Sequence, residues 1–134
     1  MAAVPRSVCC GIALLSVIGG SALAADRTQT LRFKPGASSA NFAASLTGAD
    51  KVSYKFNASK SQTMTVTFTP QHRNCYMTVA GPASKDIFDG TMDGHDFSGK
   101  APASGAYTIR LFLIGPAAER GDICAYGLEV KLSR

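Results

Sequence analysis

The feature that most restricts this chain is side-chain alternation with a period of two, and it is cleanest between Ala101 and Leu113. A Pro-Ala-Ser-Gly corner, from Pro102 through Ser104 to Gly105, runs straight into a strand-like segment. Tyr107, Ile109, Leu111 and Leu113 share one parity, and Thr108, Arg110, Phe112 and Ile114 the other. Successive side chains leave opposite faces of an extended chain, so this segment reads as a central strand with one face on a core. The other face is mixed and carries Arg110, which marks it as the functional or solvated one. Pro102 pre-sets one torsion and Gly105 supplies a conformation that residues with a β-carbon resist, so the corner is sharp. The chain then passes through GPAAERGD, residues 115–122, and alternates again at Cys124, Tyr126, Leu128, Val130 and Leu132. Two alternating runs joined by one loop predict a β-hairpin with a projecting tip.

The same period recurs upstream in residues 30–34, 40–46, 51–57, 63–69 and 75–80. Short apolar pieces at Ile87, Phe88 and Phe97 predict two brief edge strands inside a polar, Gly-rich stretch. Turn residues separate the runs, and no window shows an amphipathic helix of useful length. Short, evenly spaced strands indicate an all-β domain, an antiparallel β-sandwich or jelly roll of about eight or nine strands. The predicted core is Leu31, Phe42, Val52, Tyr54, Phe56, Met64, Val66, Phe68, Met77, Val79, Tyr107, Ile109, Leu111, Leu128 and Val130.

Residues 1–24 stand apart from that domain. A short basic start at Arg6, an apolar run over residues 8–18 and an Ala22-Leu23-Ala24 ending read as a secretory signal peptide cleaved after Ala24, leaving one domain over residues 25–134. The apolar run falls short of the ~20 residues a membrane span needs. Cys9 and Cys10 lack a preceding lipobox, so lipidation is rejected. Cleavage removes only Arg6 from the 14 Lys and Arg and none of the 9 Asp and Glu, so the net charge falls from +5 to +4. That charge is dispersed. It suits a soluble exported protein with mild attraction to anionic surfaces, and it does not make a nucleic-acid binder. Of the four cysteines, Cys75 and Cys124 remain, and an even pair in an exported chain predicts a disulfide.

Nothing in the sequence composes an active site. His72 and His95 read as surface loop residues, with no nucleophile or zinc pattern around either. Asp86, Asp89, Asp93 and Asp96 share a Gly-bent stretch, but the alternate ligand positions and closing Glu of a calcium loop are missing, so they read as turn residues. No metal or other cofactor is called for. The loop over residues 115–122 is different in kind. It is long for a hairpin connection and carries Glu119 and Arg120 at its tip. It reads either as a solvated loop or as a wedge for a partner's cleft.

Taken in order, FKPGASSANFAASLTG, ASKSQTMTV, FDGTMDGHDFSGKAPASGAYTIRLFLIGPAAERGD and AYGLEVKL resemble the periplasmic inhibitors of goose-type lysozyme. The likeness spans residues 31–132 and is most specific in PASGAYTIRLFL and the AAER loop after it. The ASKSQTMTV part is similar to a wider group of bacterial β-sandwiches, including the pre-peptidase C-terminal type. The resemblance implies a non-enzymatic periplasmic protein that plugs the active-site cleft of a lysozyme. Carried over residue by residue, it puts Ser104, Gly105, Tyr107 and Arg110 in the family's pattern, with Arg120 as the loop arginine that reaches for a catalytic carboxylate. Gly115 and Glu119 depart from basic residues there, and an acidic Glu119 repels such a carboxylate. The alternative from another class is a glycan-binding or envelope module working through the sheet face around Thr108, Arg110 and Phe112. A third reading is a structural domain of the envelope.

Overall fold

The computed structural model describes residues 25–33 and 38–133, so the predicted signal peptide lies outside the described residues. Alternation becomes two stacked sheets. One holds β1 (Asp26–Thr30), β3 (Lys51–Ala58), β5 (Cys75–Ala80), β6 (Asp86–Asp89) and β8 (Gly105–Leu113) in the order β1-β3-β8-β5-β6. The other holds β2 (Ser39–Thr47), β4 (Thr63–Pro70), β7 (Asp96–Lys100) and β9 (Ile123–Ser133) in the order β2-β9-β4-β7. The expected all-β sandwich is what forms, with β8 central in the first sheet. The inward parities of both sheets meet in one core, where Val52, Phe56, Met64, Val66, Met77, Ile109, Leu111 and Val130 are all buried. Side chains of this kind contribute roughly 1.5–3 kcal/mol each on full burial. Phe42 and Leu31 are only half-buried against that core.

Three expectations need correction. The first strand is not residues 30–34. It is β1, exposed at every position, pairing parallel to β3 from Asp26 opposite Lys51 to Thr30 opposite Lys55. The sandwich is therefore not wholly antiparallel. The backbone N–H of Ala25 donates to Asp50 at 2.8 Å and that of Lys51 to the Ala25 carbonyl at 3.0 Å, so pairing rather than burial holds the strand.

Nor do the last two long strands make a hairpin. β8 pairs with β3 and β5, while β9 lies in the opposite sheet between β2 and β4. Among the described strands every consecutive pair changes sheet except β5 and β6. Alternation fixes which face of a strand meets the core and not which of the two sheets it joins, and the eight-residue connection that crosses between them holds a short helix, α2 (Pro116–Arg120). Pro116 opens this helix and Gly121 closes it in a left-handed conformation. It does not project as a free tip, because Ala117 is fully buried and Ala118 packs on the core.

The predicted disulfide joins Cys75 on β5 to Cys124 on β9, with Cα atoms 6.3 Å apart, and so ties the two sheets together beside α2. The two brief edge strands are β6 and β7, joined across the open side of the sandwich by α1 (Gly90–Asp93). Asp89 caps α1 through Thr91, whose amide and hydroxyl hold its carboxyl below the usual carboxylate range. Among the described residues no three His, Cys, Asp or Glu side chains converge as a metal site.

Candidate functional site

The residues singled out from sequence fall at three places along β8, not at one. Ser104 and Gly105 stand at its start, Arg110 at its middle, and Glu119 and Arg120 beyond its end. At ~3.3 Å per residue the two ends of this strand are on the order of 25 Å apart.

At the start, the corner is locked onto the β3–β4 turn. Ser104 accepts from the backbone N–H of Lys60 at 2.8 Å, and Ser61 donates to the Ala101 carbonyl at 2.8 Å. The Ala101 amide returns a bond to Gln62 at 2.8 Å. Gly105 has φ +149, and a β-carbon there would sit 2.9 Å from the ring of Pro82, so no other residue fits. Tyr107 is fully buried, stacks on Phe56 at 5.8 Å, and donates its hydroxyl to the Ala103 carbonyl. Ser104 is exposed and its hydroxyl accepts that one bond, whereas the Tyr107 hydroxyl is engaged inside the molecule. The same holds for Tyr54 and Tyr126, whose hydroxyls meet at 2.6 Å beneath the sheets; burial, with that bond, pushes the Tyr126 phenol well above its usual range.

At the middle, Arg110 is exposed on the outer face of its sheet. It shares a shallow depression with Lys51, Lys55, Asp26, Ser53 and Thr108, and among the described residues no ion pair joins Asp26 or another carboxylate to these three cations.

Beyond the end of β8, α2 sits against the β2–β3 turn. The Gly48 amide donates to the Asp122 carbonyl at 2.8 Å, and a β-carbon on Gly48, whose φ is +61, would lie 3.3 Å from both the Ala118 carbonyl oxygen and the Gly121 Cα. Asp122 organises the polar surface here. Its carboxylate takes Arg120 Nη2 at 2.8 Å and Arg120 Nε at 3.4 Å, and it contacts His72 Nε2 at 3.0 Å. His72 Nδ1 accepts from the Asn74 amide at 3.0 Å, so it is Nε2 that donates to Asp122. His72 is therefore a half-buried clamp, not the free surface residue expected. Bonding to Arg120, then to His72, holds the Asp122 carboxyl below the usual range, and the same contact raises the Arg120 guanidinium. One edge of the guanidinium is fixed in this way. Among the described residues no partner is found for its Nη1, and the side chain is 59% exposed. Glu119 is exposed beside it, and Ile114 and Ile123, 38% and 64% exposed, flank the connection on either side. The His72–Asp122 clamp spans fifty residues of chain and left no local sign in the sequence.

No family model matches the chain. The crystal structure of Aeromonas hydrophila PliG, a periplasmic inhibitor of g-type lysozyme, is 31% identical over 83% of this chain and 100% of that one, with a TM-score of 0.73. The chain belongs to this family. Its members are periplasmic inhibitors, not enzymes. An inhibitor of g-type lysozyme from Escherichia coli strain K12 is 25% identical over 132 residues, 95% of this chain and 97% of that protein. A pre-peptidase C-terminal domain of a Bacillus anthracis collagenase, 15% identical over 84% of this chain and 100% of that one with a TM-score of 0.55, shares the fold alone.

Proposed function

We propose that this chain inhibits a g-type lysozyme by seating its α2 end in the enzyme's active-site cleft, with Arg120 meeting a catalytic carboxylate. The observation that carries the reading is the half-engaged guanidinium. Asp122 holds Arg120 in one orientation through Nε and Nη2, while the side chain stays 59% exposed. A charge-assisted, bidentate contact made from its Nη1 edge is stronger in a cleft that excludes water than at an open surface. A side chain already held in place loses less freedom on binding. The buried Ala117 seats the wedge rigidly in the core. In this reading Ser104, Gly105 and Tyr107 act by shaping the opposite end and touch no enzyme, and Arg110 stands apart on the sheet face.

Purified mature protein assayed against goose-type, chicken-type and invertebrate-type lysozymes tests the proposal. Inhibition confined to the goose type supports it, and no inhibition of any lysozyme refutes it. The unpaired cations Lys51, Lys55 and Arg110 favour one second reading, an anionic-glycan site on that sheet face. Retention on immobilised anionic glycan, lost on Arg110→Ala, separates it from the first.

A further inference from the structure

The edges of the two sheets are not alike. β1, β6 and β7 each carry charged residues: Asp26 and Arg27, Asp86 and Asp89, Asp96 and Lys100. β2, SANFAASLT, has nine residues with no charge, no Pro and no Gly. It pairs with β9 on one side only. The Ser38 carbonyl accepts from Leu132 on that paired side. Alternation of the ladder then turns the amides and carbonyls of Ser39, Asn41, Ala43 and Ser45 to the open side. Among the described residues only Arg27 reaches that edge, donating to the Ser45 carbonyl at 2.8 Å. A long, uncharged, open edge is what natural sheets avoid unless another strand covers it.

We propose that β2 pairs with β2 of a second copy of this chain, antiparallel about a two-fold axis at Ala43, to form one eight-stranded sheet. The strand's own order selects this occupant. About that axis Phe42 faces the other copy's Ala44, and Ala40 faces its Leu46, so large meets small at both core-side pairs. On the solvent side Asn41 faces Ser45, and Ala43 faces itself. Identical edges brought together would set like charges against each other, and β2 has none to oppose. Phe42 and Ala44, half-buried in one copy, become covered. The two-fold axis turns the α2 ends in opposite directions and leaves both free. Arg27 covers part of this edge and limits the association.

Equilibrium sedimentation of the mature chain over a wide concentration range tests this, with melting temperature as the control for folding. The expected results are a mass doubling with concentration, loss of the dimer in Ala43→Lys, and a tighter dimer in Arg27→Ala. As a second variant, Ala43→Cys should give a disulfide-linked dimer under mild oxidation. Its two Cα atoms would lie about 5.5 Å apart, within the range a disulfide bridges. A chain that stays monomeric in both wild type and Arg27→Ala overturns the proposal. So does a dimer that survives Ala43→Lys, or an Ala43→Cys variant that stays uncrosslinked while dimeric.

Discussion

The two ends of the sandwich use similar residues for opposite purposes. At the corner end, Tyr107 bonds back to Ala103, and Ala101 and Ser104 bond to the β3–β4 turn, so the corner is held by its own hydrogen bonds. At the α2 end, Asp122 gathers His72 and Arg120 yet leaves half of the arginine outside. In the proposed reading the stretch that looks most distinctive as sequence, PASGAYTIRLFL, serves chiefly as architecture. Most of its named side chains are spent on keeping a sharp turn and a central strand in place. The plainer AAER connection presents the charge, with exposed Ile114 and Ile123 outside it in the sequence. A motif can be distinctive because few sequences satisfy its geometry, and that says nothing about whether it touches a partner.

The largest effect should come from removing what fixes the α2 end to the rest. Replacing both Cys75 and Cys124 by Ala opens a loop of 49 residues and should cost roughly 4 kcal/mol in denaturant unfolding. Amide exchange should then quicken more around α2 than around the Ala101 corner. Equal loosening of both ends would show that the bridge does not act locally.

Next in size, Arg120→Ala should weaken inhibition of a goose-type lysozyme by about 2–5 kcal/mol, while Glu119→Arg strengthens it by removing a like charge from the contact. A dissociation constant for Arg120→Ala equal to that of wild type would move suspicion to Arg110 and its sheet face. Tyr107→Phe is the counterpart at the corner. It removes the donor to the Ala103 carbonyl and should lower stability by about 1–3 kcal/mol without altering inhibition. A change in inhibition at constant stability would make the corner a contact surface after all.

The smallest effect is one of pH. The folded-state value of Asp122 is depressed, so its contribution is present above the unfolded value of about 3.9 and fades as pH falls through the lower folded value. Melting temperatures of wild type and Asp122→Asn should differ at pH 6 and converge in strong acid, with wild type the more stable at pH 6. Parallel curves down to pH 2 would contradict the clamp.

Much of the fold was legible because β3, β4 and β5 each carry unbroken alternation, and burial follows it residue by residue. The edge pieces at Ile87 and Phe97 were legible for the same reason. β1 was not. DRTQT has no apolar parity, and it is a strand only because β3 offers it a parallel ladder. The false hairpin has a different origin. Alternation tells which side of a strand meets the core but not which of two sheets the strand joins, since both sheets face the same core. Of the candidate site, the charged tip at Glu119 and Arg120 could be read directly. The partner that orients it, Asp122 with His72, depends on loops meeting from distant parts of the chain.

The crossing of nearly every connection from one sheet to the other also sets the order in which this molecule can assemble. Among the described strands only β5 and β6 are neighbours both in the chain and in a sheet, so few native contacts are local and the search for the rest is slow. β9 is the last of the described strands, yet it lies between β2 and β4 and pairs with both along their lengths. The second sheet has no middle until that strand arrives. A chain emerging in sequence order therefore cannot complete the second sheet until β9 has been made. The signal peptide expected over residues 1–24 would make that delay an advantage, since export would precede the oxidation of Cys75 and Cys124.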